Sequence, residues 1–276
     1  MIPDYHIHTP LCKHAEGSMK EFLAAAIRCG LPEMCFTDHA PNPDNYDARH
    51  RMSVGEFESY KAEVASLAAP AGTTRVLFGV EADYYHGCER FLRKWLPHHS
   101  LDLVIGSIHY INSWGFDNPD ERQVWDNVDV AVTWKGYFDL VGKLADTHLF
   151  DVVGHMDLPK KFGYTPGEAA IRELARPAME KIARASMAIE INTSGLRRPV
   201  KEIYPSLSLL SLARELGIPV CFGSDAHCPG EVGRDFALGL DWARKAGFTE
   251  AVRFSARHKK AYTLPAKWSM NDLAAK

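Results

Sequence analysis

A chain of 276 residues that is 46% hydrophobic and 24% charged has ordinary globular composition, with length enough for one large barrel or two smaller domains. The net charge of -3 gives no sign of a nucleic-acid or membrane partner, and no apolar run approaches transmembrane length. The six cysteines form no Cys-x-x-Cys pair, which argues against a zinc ribbon or a disulfide framework. The first residues lack a basic-then-apolar leader, so a reducing cytoplasm is the expected compartment.

Pro3 to Thr9 reads as a short strand, on which His6 and His8 project to the same face. Pro10 stops it, and the following loop brings His14 back over the same end. Ser18 to Glu21 is a capping box that opens a helix, and Gly30 ends it. Met34 to Thr37 is a buried strand running into Asp38-His39. A loop rich in Pro, Asn and Asp (41–47) precedes a second capping box, Ser53 to Glu56, whose helix is expected to reach Ala69. Arg75 to Val80 is a strand ending at Glu81. A helix near Cys88 to Leu96 leads to a strand from Leu101 that ends at His109. A polar and aromatic stretch, 112–126, interrupts before a long helix over 127–148. Phe150 to Gly154 is a strand ending at His155. A helix over 167–186 leads to the strand Met187 to Ile191, which ends at Asn192-Thr193-Ser194. A helix over 205–216 leads to a strand from Pro219 that ends at Asp225-Ala226-His227. A last helix over 231–246 is followed by a tail expected to hold a short helix and an irregular end.

Seven strand-then-helix units with continuously apolar strands imply a parallel sheet covered on both faces. No linker divides the chain, so one closed, barrel-like α/β domain over residues 1–276 is expected. An open doubly wound sheet would carry a Gly-rich loop after its first strand, where this chain has His-x-His.

Barrel enzymes place their chemistry at the C-terminal ends of the strands. Here those ends carry His6, His8, His39, Glu81, His109, His155, Asp225 and His227, joined by His14 from the first loop. Seven imidazoles and two carboxylates exceed what one ion takes and suit two or three divalent metals. Such clusters supply a nucleophilic bridging hydroxide at neutral pH and clamp an oxyanion, which phosphate-ester hydrolysis requires. The chain has neither a phosphate-binding Gly-x-x-x-x-Gly-Lys loop nor a Gly-x-Ser-x-Gly nucleophile.

These residues resemble the polymerase-and-histidinol-phosphatase (PHP) superfamily. Its pattern is met by His6-Ile7-His8, His14, Asp38-His39, Gly79-Val80-Glu81, Ser107-Ile108-His109, Gly154-His155 and Ser224-Asp225-Ala226-His227. Phe36 to Pro41, Asp151 to Leu158 and Glu190 to Arg197 are most similar to the histidinol-phosphatases. The resemblance spans about residues 4–235. It implies a distorted seven-stranded parallel barrel and a three-metal centre of zinc, manganese or iron. His6, His8, Glu81 and Asp225 would hold one ion. Glu81, His109 and His155 would hold the second, and His14, His39 and His227 the third. It also implies a small phosphate ester as partner, histidinol phosphate above others, with hydrolysis of another phosphate ester or nucleotide as the alternative.

A phosphate monoester calls for positive charge beyond the metals. Arg197 follows the one strand end without a metal ligand, so it is the expected phosphate fork, and Lys160 is the second candidate, with Lys161 as its alternative. Arg198 is expected to face solvent. Trp114 and Phe116 are candidates to stack on an imidazole and Asp117 to meet an ammonium. Glu16 is conceivable as the general acid, and among the other histidines only His50 is an active-site candidate.

Overall fold

The computed structural model describes residues 1–43, 46–67 and 74–268. Seven parallel strands follow one another around a barrel: β1 (Asp4–Ile7), β2 (Glu33–Phe36), β3 (Arg75–Asp83), β4 (Leu103–Ser107), β7 (Val152–Val153), β8 (Ala188–Asn192) and β9 (Val220–Gly223). Two short antiparallel pairs stand outside this order, β5 (Tyr110–Ile111) with β6 (Trp114–Gly115), and β10 (Glu250–Ser255) with β11 (His258–Thr263). The seam between β1 and β9 is closed by the bridge Ile7–Ala226 and by Asp4. One Asp4 oxygen accepts from Ser224 N at 2.9 Å, and the other accepts from Ser224 Oγ at 2.6 Å and Gly233 N at 2.9 Å. Burial pushes the Asp4 carboxyl up to about 6 despite these hydrogen bonds.

The helices follow from local signals. Ser18 and Glu21 close a capping box on α1 (Met19–Cys29), and Gly30 ends it with φ 69°. Ser53 and Glu56 open α2 (Val54–Leu67), and the expected end near Ala69 lies outside the described residues. The remaining helices are α3 (Glu89–Trp95), α4 (Val130–Asp146), α5 (Glu168–Arg184), α6 (Leu207–Glu215) and α7 (Phe236–Lys245). Asp129 caps α4, its Oδ1 accepting from Val132 N at 3.0 Å.

Tyr5, Cys35, Leu77, Leu103, Ile105, Val152, Ala188 and Cys221 form one buried cluster inside the barrel, completed by Val252 and Phe254 of β10. The tail is therefore a hairpin that plugs the barrel, and the short helix expected there is absent among the described residues. Val252 and Phe254, buried on either side of the less buried Arg253, give the period of two that favours a strand over a helix. Tyr5 anchors the plug, its ring edge-on to Phe254 at 5.5 Å and its hydroxyl accepting from Phe254 N at 3.1 Å. With one end filled in this way, the opposite end, where the strands finish, is left for the site.

Candidate metal centre

Glu81 sits on β3 at the middle of the barrel mouth, 1% exposed. Its two oxygens face opposite sides. Oε2 lies 3.4 Å from His6 Nε2, 3.6 Å from His8 Nε2 and 3.1 Å from His39 Nδ1. Oε1 lies 3.1 Å from His155 Nε2 and 3.7 Å from His109 Nε2. Asp225 Oδ1 adds a second anionic corner, 3.3 Å from His8 Nε2, 3.9 Å from His6 Nε2 and 3.5 Å from His227 Nδ1. His14 joins from the loop after β1, its ring 4.8 Å from that of His227 and 5.6 Å from that of His39. The structure thus brings all nine expected ligand residues together, and the groups His6–His8–Glu81 and Glu81–His109–His155 have the spacing of shared donors.

The backbone is shaped for this. The register of β1 against β2 shifts between Asp4 and Ile7, so Tyr5 packs inside the barrel while His6 and His8 reach its mouth. His155 and Asp225 take left-handed backbone, with φ 22° and 52°. Strain of this kind in residues other than glycine is characteristic of functional sites.

Most rings are fixed from behind. His6 Nδ1 pairs with Glu190 Oε1 at 2.7 Å, His109 Nδ1 with Asp83 Oδ1 at 2.8 Å, His14 Nδ1 with the Cys12 carbonyl at 2.8 Å and His227 Nδ1 with the Asp225 carbonyl at 3.0 Å. An Nδ1–H held in this way leaves Nε2 as the lone-pair donor. His6 Nε2 is itself buried without a hydrogen-bond partner, and so are His8 Nδ1, His39 Nδ1 and His155 Nδ1. Buried polar atoms are normally satisfied. Of these orphans, His6 Nε2 and His39 Nδ1 both face Glu81 Oε2, an arrangement that fits a divalent metal ion of the kinds zinc, manganese and iron supply.

The electrostatics agree. Burial would push Glu81 up, but His39, His6 and His109 hold it well below the usual carboxylate range, and His6, His8 and His227 do the same for Asp225. Burial acts against protonated His6, yet Glu190 and Glu81 hold that imidazole well above its ordinary value. His14 is pushed down to about 4 by burial and by His8, and His39 and His227 are held well below their ordinary value, first by burial. The mouth therefore sets anionic carboxylates beside imidazoles of two kinds: burial holds His14, His39 and His227 toward the neutral form that binds metals, whereas the surrounding carboxylates draw His6, His8 and His109, against burial, toward the protonated form.

A cavity of about 300 Å³ opens over the cluster, lined also by Asp47, His50, Tyr110, Asp117, Lys161 and Arg198. Several expected substrate contacts lie elsewhere. Arg197 does not line it. Its Nε donates to Glu231 Oε1 at 3.0 Å and its Nη2 to the Ser224 carbonyl at 2.6 Å, while Glu231 Oε2 accepts from His227 N at 3.0 Å. Arg197 thus braces the loop that carries Asp225 and His227, and Arg198, expected in solvent, faces the cavity. Lys160 is 4% exposed, with Nζ at 2.9 Å from both Asp157 Oδ2 and Glu202 Oε2 and 2.8 Å from the Ile203 carbonyl, which commits it to the fold. Lys161, its alternative, lines the cavity and pairs with Asp117 Oδ2 at 2.9 Å. Trp114 and Phe116 pack on Trp125, whose Nε1 donates to the Phe116 carbonyl at 2.7 Å, so neither is a cavity wall. Glu16 is exposed and is not part of the lining.

Sequence reasoning missed Glu190, Asp83 and Cys12. Glu190 is a buried charge between the apolar Ile189 and Ile191, a signal in itself. Asp83 stands two residues beyond Glu81 on the same strand face, visible only if the strand is extended past Glu81. Cys12 places its thiol within 4.8 Å of ring nitrogens of His8 and His227, and nothing in the spacing announces this.

Comparison with known proteins points the same way. The family described as PHP domain matches residues 4–194, and a PHP-associated region matches residues 209–254. A probable histidinol-phosphatase of Deinococcus radiodurans is 43% identical over 258 residues, covering 93% of this chain and 97% of the relative. The histidinol-phosphatase of Bacillus subtilis is 29% identical, covering 86% and 98%. The histidinol phosphate phosphatase of Lactococcus lactis, solved with zinc, L-histidinol and phosphate, superposes with a TM-score of 0.76 at 21% identity, over 94% of this chain and 98% of that one. With the motifs, the barrel and these relatives in agreement, the chain belongs to the PHP-domain family, among its histidinol-phosphatases.

Proposed function

We propose that the chain, acting as a single domain over residues 1–276, hydrolyses L-histidinol phosphate to L-histidinol and phosphate in histidine biosynthesis, in the cytoplasm. Among the described residues no helix is long and apolar enough to cross a membrane. The observation that carries the reading is the two-sided Glu81 carboxylate, with imidazoles on both of its oxygens at the floor of a small cavity.

In this reading His6, His8, His14, His39, Glu81, His109, His155, Asp225 and His227 hold three divalent ions of zinc, manganese or iron. When bound, such ions neutralise phosphate oxygens and generate a nucleophile from water at neutral pH. The protein's own groups do the rest. Arg198 and Lys161, in place of Arg197 and Lys160, bind the outer phosphate oxygens, the guanidinium by its planar fork and the ammonium as a point charge. Asp117 orients Lys161 and, with Asp47, gives the cavity wall negative charge suited to the cationic amine of the substrate. Ser194 donates to Asp225 Oδ2 at 3.0 Å and Asn192 Nδ2 reaches the same oxygen at 3.3 Å, which fixes that carboxylate. Phosphate release from histidinol phosphate, beside a panel of other monoesters, tests the reading. Flat activity over the panel would remove the substrate assignment and leave a phosphoesterase.

A further inference from the structure

Arg51 lies in the loop between β2 and α2, 2% exposed and outside the ligand set. Its Nη2 donates to two carboxylates, Asp83 Oδ2 at 2.7 Å and Asp47 Oδ2 at 3.0 Å. Each of these has its other oxygen on an imidazole. Asp83 Oδ1 is 2.8 Å from His109 Nδ1, and Asp47 Oδ1 is 2.6 Å from His50 Nδ1. The first imidazole points its Nε2 at Glu81, whereas the second borders the cavity beside Asp47. One buried guanidinium is therefore shared between the carboxylate that orients a ligand and a carboxylate that shapes the substrate space.

We propose that Arg51 is a positioning residue that couples metal holding at His109 to the shape of the substrate cavity. An arginine keeps its charge at any working pH, and the two N–H groups of its planar Nη2 diverge at a fixed angle, so one nitrogen fixes both carboxylates at once. Without it, Asp83 and Asp47 are left close together with no cation between them and only the His109 and His50 imidazoles as partners. Asp83 then holds the His109 ring poorly, and Asp47 and His50 lose their place on the wall. A clamp that served the fold alone would predict lower stability and nothing more.

The inference rests on His109 as a metal ligand, and the test separates the two. Chelator-stripped wild type, His109→Ala, Arg51→Met and Arg51→Lys are titrated with zinc against a chromogenic chelator, and KM and kcat for histidinol phosphate are measured at saturating zinc. Arg51→Met is expected to weaken one zinc site by about 10–100-fold, the usual effect of removing support behind a ligand. KM rises more than kcat falls, and Arg51→Lys, with charge but no fork, lies between Arg51→Met and wild type. Wild-type zinc affinity and KM in Arg51→Met, with only a lower melting temperature, would overturn the proposal. If Arg51→Met does not fold, wild-type zinc affinity and KM in Arg51→Lys would overturn it, and weakened zinc binding with raised KM would support it. Unweakened zinc binding in His109→Ala would overturn it at its base, by refuting the ligand reading itself.

Discussion

At the scale of single residues, Glu81 faces imidazoles on both sides of the mouth, one set on each of its oxygens. Glu81→Ala is expected to lower bound metal and to reduce kcat/KM by several orders of magnitude while the apolar barrel still folds, as elemental analysis, kinetics and circular dichroism would record. Near-normal turnover would contradict the bridging role. The adjacent arginines are expected to separate by readout. Arg198→Ala should lower kcat/KM for histidinol phosphate by roughly 10²-fold with metal content and melting temperature unchanged, because a charge-assisted contact to phosphate is lost. Arg197→Ala should instead destabilise by about 2 kcal/mol, because the Glu231 carboxylate and the Ser224 carbonyl lose their donor. Urea denaturation alongside kinetics distinguishes the two, and the reverse pattern would restore Arg197 as the phosphate contact. Eight of the nine expected ligand residues were legible because they stand at strand ends, and His14 because the first loop returns over the same end, but the sequence could not rank Arg197 against Arg198. They are adjacent in a tight turn, and only the partners Glu231 and Ser224, distant in sequence, decide which one turns inward.

At the scale of elements, close packing sets the geometry of the mouth. A Cβ at Gly223 on β9 would collide with the Glu190 carboxylate and come within 2.6 Å of His6 Cβ. Gly223→Ala should therefore push Glu190 off His6 and lower metal affinity more than it lowers stability, which isothermal titration with zinc beside thermal melting would show. A wild-type zinc isotherm would mean that Glu190 is not needed to hold His6. The strands and helices were legible because capping boxes, apolar runs and strand ends repeat in step. The aromatic stretch after His109 misled for a physical reason. Trp114 and Phe116 have the same composition whether they line a pocket or pack on Trp125, and the tertiary contact with Trp125 makes the choice.

At the scale of the whole molecule, the barrel is filled at one end and reactive at the other. The sequence suggests a short helix and an irregular end where the β10–β11 hairpin lies, because the partner of that hairpin is the barrel interior, distant in sequence. Phe254→Ala should cost about 3–5 kcal/mol of stability through the cavity it leaves against Tyr5, with metal content and KM unchanged in the folded protein. Loss of metal in that variant would show that the plug and the mouth are coupled. A mouth ringed by these candidate ligands is expected to be built for histidinol phosphate. The most direct measurement is kcat/KM of the metal-loaded protein for histidinol phosphate and for p-nitrophenyl phosphate under the same conditions. A site that pairs with the charged organic part of its substrate predicts a preference of at least about 10²-fold for histidinol phosphate, abolished by removal of the metals with a chelator and restored by zinc, manganese or iron. Equal rates on both esters, or full activity after the metals are stripped, would contradict it.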